Sequence, residues 1–134
     1  MTLHLYPALA TCLALLVYFG TFVACGKARG RYGVVAPAVT GHIEFEKRLR
    51  VQQNTLEQLV LFLPSLWVFS TTWNQFWGGI IGLVWVAGRI LYAVTYTRDP
   101  ATRGAGFVIS VIATMILLLG GTFRVLWLMI TGIP

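Results

Sequence analysis

Arg50, Asn54 and Glu57 follow one another at spacings of four and three residues, and Arg89, Tyr92 and Tyr96 at three and four. On a helix that advances about 100° per residue, Lys47, Arg50, Gln53, Asn54 and Glu57 share one face, which Leu61 and Pro64 continue. Gln52 points the other way. Side chains of this kind bind a small anion, because arginine carries a fixed charge and a fork that matches carboxylates. The same charge stabilises a thiolate and draws a thiol pKa from about 8.5 toward neutrality. The sequence has no Ser–His–Asp set, no Cys–His pair, no P-loop and no cluster of metal ligands, so neither nucleophilic catalysis nor a metal is expected.

The setting of these groups is apolar. The chain has 134 residues, 57% of them hydrophobic, with a mean hydropathy of +0.78. A soluble domain of this size could not cover so much apolar side chain, and the length fits a single domain over 1–134. Four segments offer roughly 20 residues each, enough to cross a hydrocarbon core of about 30 Å. They are Leu5 to Cys25, Val51 to Trp73, Trp77 to Tyr96 and Phe107 to Ile130. Backbone groups in lipid must be satisfied within helices, so the expected fold is an all-α, four-transmembrane-helix bundle. The first segment lacks a basic leader and its apolar run is too long for a signal peptide; it is read as a retained helix.

Charge sets the orientation. Lys27, Arg29, Arg31, Lys47, Arg48, Arg50, Arg98 and Arg103 lie on one side, while "TWNQFWGG" between the second and third segments has no Lys or Arg. The positive-inside tendency makes the basic side cytoplasmic and puts both termini on the non-cytoplasmic side of a multi-pass protein. Lys27, Arg31, Lys47 and Arg48 are read as topology determinants that can also meet anionic headgroups of membrane lipids. A nucleic-acid partner is not expected, since no soluble domain carries the charge. The first connection, of about 25 residues and partly helical, has many glycines and Pro37; Glu44 and Glu46 fall in the first turn of the second helix. Pro64 is expected to kink that helix and free the carbonyl of Val60.

Polar groups in lipid are costly, so the Arg50–Glu57 face should meet the bundle interior or a neighbouring subunit. Glu57 lies roughly 9 Å along its helix from Val51, and Arg89 roughly 10 Å from Tyr96, at similar depth. An ion pair between Glu57 and Arg89 is therefore expected, since a buried charge needs a partner. Arg124 sits near the uncharged side, where it can snorkel. His4 and His42 lack metal-ligand companions, and Cys12 and Cys25 are read as small fillers of the first helix. The five Trp residues are mostly placed as an aromatic belt would be, and Gly78 and Gly82 form a GxxxG spacing. A ring of arginines beside an apolar interior suits a charged ligand, such as a tripeptide thiol, with a lipid-soluble partner.

The stretches "FEKRLRVQQNTLEQ", "GRILYAVTYTRDPATRG" and "ARGRYGVVAPAVTG" resemble the membrane-associated proteins in eicosanoid and glutathione metabolism, the MAPEG family. The likeness covers nearly the whole chain and includes microsomal glutathione transferases and leukotriene C4 synthase. It implies a homotrimer with glutathione as co-substrate, bound between adjacent subunits near the cytoplasmic side. Carried over by residue, Arg50, Asn54 and Glu57 match glutathione ligands of the second helix, and Gln52 a position that reaches the neighbouring site. Arg29 matches a loop arginine on a glutathione carboxylate, and Tyr92 and Tyr96 match contacts of the third helix. Arg103 matches the arginine taken to activate the thiol, with a Tyr92 or Tyr96 hydroxyl as the rival. Gln58 and Val60 stand where leukotriene-forming members have an aromatic residue and a proline, and Gly30 replaces a second loop arginine; these departures favour a broader detoxification role. The implied function is conjugation of glutathione thiolate to lipophilic electrophiles, with peroxidase activity toward lipid hydroperoxides as a companion. The alternative is a non-catalytic lipid-binding or scaffold protein of the same fold. A small multidrug exporter is disfavoured, because the first segment has no acidic residue for proton coupling.

Overall fold

The computed structural model describes residues 3–133, and within them the chain is four long helices. They are α1 (Leu5–Arg31), α2 (Ile43–Thr72), α3 (Gln75–Arg98) and α4 (Gly104–Thr131). A short 3₁₀ turn, Pro100–Thr102, joins α3 to α4. The central pair is α2 and α3, with α1 and α4 each packed against both of them. The all-α four-helix expectation holds.

Among the described residues, three stretches are long and apolar enough to cross a membrane: α1, α3 and Pro100–Thr131. The second helix is absent from that set although its 30 residues suffice in length. Gln52, Gln53, Asn54, Glu57 and Gln58 dilute its apolar character.

The helix ends differ from expectation. The first helix continues to Arg31, so Lys27, Arg29 and Arg31 ride on its last two turns instead of on a loop. Residues 32–42 make the connection, and α2 begins well before its apolar part. Its N-cap is His42, whose Nδ1 accepts from the Glu44 N–H at 3.1 Å. Glu44 and Glu46 occupy the first turn, as the dipole favours. Asn74 caps α3 in the same way, its Oδ1 accepting from Phe76 and Trp77 N–H. Helix α2 runs unbroken through Pro64.

The core lies between the central helices. Phe62 and Trp85 stack at 4.1 Å, 2° from parallel, and both are fully buried with Leu66 and Leu117 around them. Trp85 is thus a core residue and not part of an interfacial belt, unlike the exposed Trp73, Trp77 and Trp127. In lipid, helices associate by close packing, since tails are as apolar as the side chains. The GxxxG pair serves that end: a Cβ on Gly82 would stand 2.8 Å from Ala10 Cβ, and one on Gly78 would collide with Ser70. A smaller cluster of Cys25, Ala28, Val34 and Phe45 seats the first connection on the ends of α1 and α2. Both cysteines are free.

Arg124 does more than snorkel. Its Nε donates to the Thr72 carbonyl at 3.0 Å, and its guanidinium lies 5.6 Å from the Trp73 ring. The α2 terminus leaves carbonyls without helical partners, and this cation satisfies one of them from α4.

Candidate active site

A cavity of about 520 Å³ opens between α2, α3 and the start of α4. Arg50 and Asn54 line it from α2, Tyr92 and Tyr96 from α3, and Arg103, Gly104 and Phe107 from the α4 side. Four residues singled out from helical spacing, Arg50, Asn54, Tyr92 and Tyr96, therefore converge with Arg103, which the family resemblance pointed to, although they come from three separate stretches of chain. The convergence follows from local rules: Arg50 and Asn54 lie one turn apart on α2, as Tyr92 and Tyr96 do on α3.

The cavity walls are ordered by aromatic contacts. The Tyr92 and Tyr96 rings lie 5.5 Å apart, and Phe107 lies 6.4 Å from Tyr92. The Arg103 guanidinium sits 5.9 Å from the Tyr96 ring and its NH1 donates to the Pro100 carbonyl at 3.2 Å. Arg103 also precedes the first residue of α4, which has no side-chain cap. The positive end of a helix dipole thus opens onto the cavity through Gly104, adding to the charge of two arginines.

The small residues at the start of α4 allow this closeness. A Cβ on Gly106 would stand 2.7 Å from the Gly88 carbonyl oxygen and from Tyr92 Cα. Helix α4 consequently crosses α3 at backbone contact, directly behind Tyr92.

Arg89 is fully buried, but the expected ion pair with Glu57 does not form. Its NH2 donates to Asn54 Oδ1 at 3.1 Å and to Thr55 Oγ1 at 2.8 Å, and its guanidinium lies 4.0 Å from the Tyr92 ring centre. Glu57 instead faces outward, with Arg50 NH1 3.7 Å from its Oε1. The reason is rotational: Thr55 and Asn54 are on the side of α2 turned to α3, and Glu57 is further round. The polar face of α2 is accordingly outside the single chain, with Arg50, Gln53, Glu57, Leu61 and Pro64 all exposed.

Three expected ligands lie away from the cavity lining. Arg29 donates through NH1 to the carbonyls of Val34 at 3.3 Å and Ala38 at 2.8 Å, and rests 4.6 Å from the Phe45 ring, so it fastens the first connection. Gln52 is half-buried on the opposite side of α2 from Gln53 and Glu57. Among the described residues, Glu57 reaches only Arg50. Conversely, Thr55 and Phe107 were not singled out. Phe107 stands four residues after Arg103 on the same helical face, a signal available in the sequence; Thr55 becomes relevant only through Arg89.

One turn deeper along the α2–α4 seam, a small apolar cavity of about 90 Å³ is lined by Gln58, Leu61, Val111, Thr114 and Met115. A cavity lined by two arginines and an apolar recess thus follow each other along one seam.

Comparison with known proteins agrees with this architecture. The sequence pattern of the MAPEG family matches residues 7–123. An uncharacterized protein of Synechocystis is 46% identical over 123 residues, covering 92% of this chain and 90% of its own. Human microsomal glutathione S-transferase 2 is 42% identical over 96 residues, 71% of this chain and 65% of that protein. Leukotriene C4 synthase of Cavia porcellus is 34% identical over 100 residues, 75% of this chain and 67% of the other. The chain therefore spans just under two thirds of the human transferase it matches. With a match over most of its length and the four-helix fold, this chain belongs to the MAPEG family.

Proposed function

We propose that this protein is a membrane-bound glutathione transferase. It conjugates the thiolate of glutathione to lipophilic electrophiles, and the same thiolate reduces lipid hydroperoxides. The observation that carries the reading is the meeting of Arg50, Asn54, Tyr92, Tyr96 and Arg103 around one cavity. Relatives named as a glutathione transferase and a leukotriene C4 synthase agree with it.

Glutathione enters from the cytoplasmic side, toward which the basic residues and the charged connections lie. Arg50 takes a ligand carboxylate through its guanidinium fork. Arg103 and the α4 N-terminus supply preorganised positive charge where the thiol loses its proton. The thiolate then attacks the electrophilic carbon, forming a C–S bond as the leaving group departs or the proton returns to the neighbouring carbon. With a hydroperoxide, the thiolate attacks the O–O bond, releasing an alcohol and a sulfenic acid that a second glutathione converts to the disulfide and water. The apolar recess beside Gln58 and Met115 receives the lipophilic partner from the bilayer.

A homotrimer accounts for the outward polar face of α2. Arg50 and Glu57 side chains are 51% and 61% exposed in the single chain, a costly display toward lipid. A neighbouring subunit's α2 covers that face, and Gln52 then serves the site across the subunit boundary.

The test is the ultraviolet absorbance of thiolate when glutathione is mixed with detergent-purified protein near neutral pH. A signal that vanishes in Arg103→Ala supports the reading. One that persists in the variant moves activation to Tyr92 or Tyr96. Absence of both signal and glutathione binding leaves the non-catalytic, lipid-binding alternative.

A further inference from the structure

Arg89 belongs to none of the ligand roles above, yet it is the most deeply buried charge among the described residues. Its NH2 group spends its two hydrogens on Asn54 Oδ1 and Thr55 Oγ1. Thr55 gives its own hydroxyl hydrogen to the Val51 carbonyl at 2.8 Å, so only its lone pairs face the guanidinium. The same logic sets Asn54. Its carbonyl oxygen must face Arg89, since the reversed amide would set N–H against N–H. The amide nitrogen, with two hydrogens, is left for the cavity.

The guanidinium also holds Tyr92. It packs on the ring at 4.0 Å, within cation–π range, while Tyr96 and Phe107 stand around the same ring. Two cavity residues, one from α2 and one from α3, thus take their orientation from a single side chain that lies outside the lining. Arg89 Nε and NH1 have no hydrogen-bond partner among the described residues, and no carboxylate neutralises the charge. Its field therefore adds to that of Arg50 and Arg103 in favouring an anion.

We propose that Arg89 is a positioning residue for glutathione: it turns the Asn54 amide so that its N–H donors enter the cavity, and it holds the Tyr92 ring in place. This rests on the glutathione reading above. Asn54 then acts as a donor toward a carbonyl or carboxylate of the ligand, never as an acceptor.

Steady-state kinetics in proteoliposomes test this, with glutathione varied against a dinitrophenyl chloride in wild type, Arg89→Lys, Asn54→Ala and the double variant. Lysine keeps the charge but cannot bridge Asn54 and Thr55 while stacking on Tyr92. The expected result for Arg89→Lys is a KM for glutathione raised about tenfold with kcat within about twofold, the mark of lost ligand binding. In the Asn54→Ala background the same change should move KM by less than about twofold, because the group it acts through is gone. Equal KM factors in both backgrounds, or an unchanged KM in Arg89→Lys, overturn the proposal. Asn54→Asp leaves Arg89 intact and covers the case of a misfolded Lys variant. Its carboxylate pairs with Arg89 but has no N–H for the ligand, so a KM raised about tenfold with an undiminished melting temperature is expected. A wild-type KM in Asn54→Asp overturns the donor role. Wild-type protein that shows neither calorimetric glutathione binding nor turnover brings down the glutathione reading itself, a result that needs no variant.

Discussion

Arg124 on α4 donates through Nε to the carbonyl of Thr72, 3.0 Å away on the last turn of α2, and Trp73 Nε1 returns a bond to the Gly120 carbonyl at 2.8 Å. The two helices are laced together at the end remote from the cavity. Arg124→Leu leaves a helix-terminal carbonyl without its partner and should lower stability by about 1–2 kcal/mol. Thermal unfolding in detergent reads this, and glutathione kinetics should stay at the wild-type level. A melting temperature equal to wild type would show that water serves Thr72 equally well.

Glu57 meets Arg50 at 3.7 Å, with both side chains more than half exposed. Exposed pairs contribute little, so Glu57→Gln should change the stability of the single chain by less than about 1 kcal/mol. A buried partnership with Arg89 would have cost about 3–5 kcal/mol on the same substitution. Denaturant midpoints of the monomeric, detergent-dispersed protein separate these two outcomes.

Gly106 lets α4 touch the backbone of α3 behind Tyr92. Gly106→Ala introduces a methyl group where Gly88 oxygen and Tyr92 Cα already stand, and overpacking of this kind costs about 1–3 kcal/mol. Because Tyr92 lines the cavity, a raised KM for glutathione should accompany the loss. Gly20→Ala is the control: nothing lies within 4 Å of its Cβ, and alanine favours the helix by up to about 1 kcal/mol. Equal melting temperatures for the two variants would contradict the close crossing.

Glu44 accepts from Lys47 Nζ at 2.9 Å and Arg48 NH1 at 3.0 Å, and these bonds hold its carboxyl below the usual range. A carboxyl with a depressed folded-state pKa contributes stability that is present above the unfolded value, about 4.3, and lost as pH falls through the folded one. Unfolding followed from neutral pH downward should show wild type losing stability across that acidic window. Glu44→Gln, which has no proton to take up, should show a flatter profile there. Parallel profiles would mean the contacts do not persist in solution.

The helices, their number and the family likeness could be read from residues alone because each depends on neighbours in sequence. Apolar runs near 20 residues specify helices in lipid wherever they pack. The periodicity of one helix puts Arg50 with Asn54, and Tyr92 with Tyr96, on shared faces without reference to any other element. The excess of basic residues on one side is equally a property of the linear chain.

Partner identity is different. Depth along two helices matched Glu57 to Arg89, but depth is known only to a few ångströms, and one residue turns the face by about 100°. Whether Arg89 meets Glu57 or the Asn54–Thr55 pair depends on how α2 and α3 are rotated about their axes. The stacking of Phe62 on Trp85 and the contact of Gly106 with Gly88 and Tyr92 set that rotation, between residues well separated along the chain. The Arg124–Thr72 bond and the binding of Arg29 to its own connection are of the same kind. The sequence by itself determined which faces are polar and how deep they lie, since those follow from helical geometry. Only the tertiary structure decided which polar group Arg89, Arg29 and Arg124 each meet, because that choice belongs to the packing of side chains between elements.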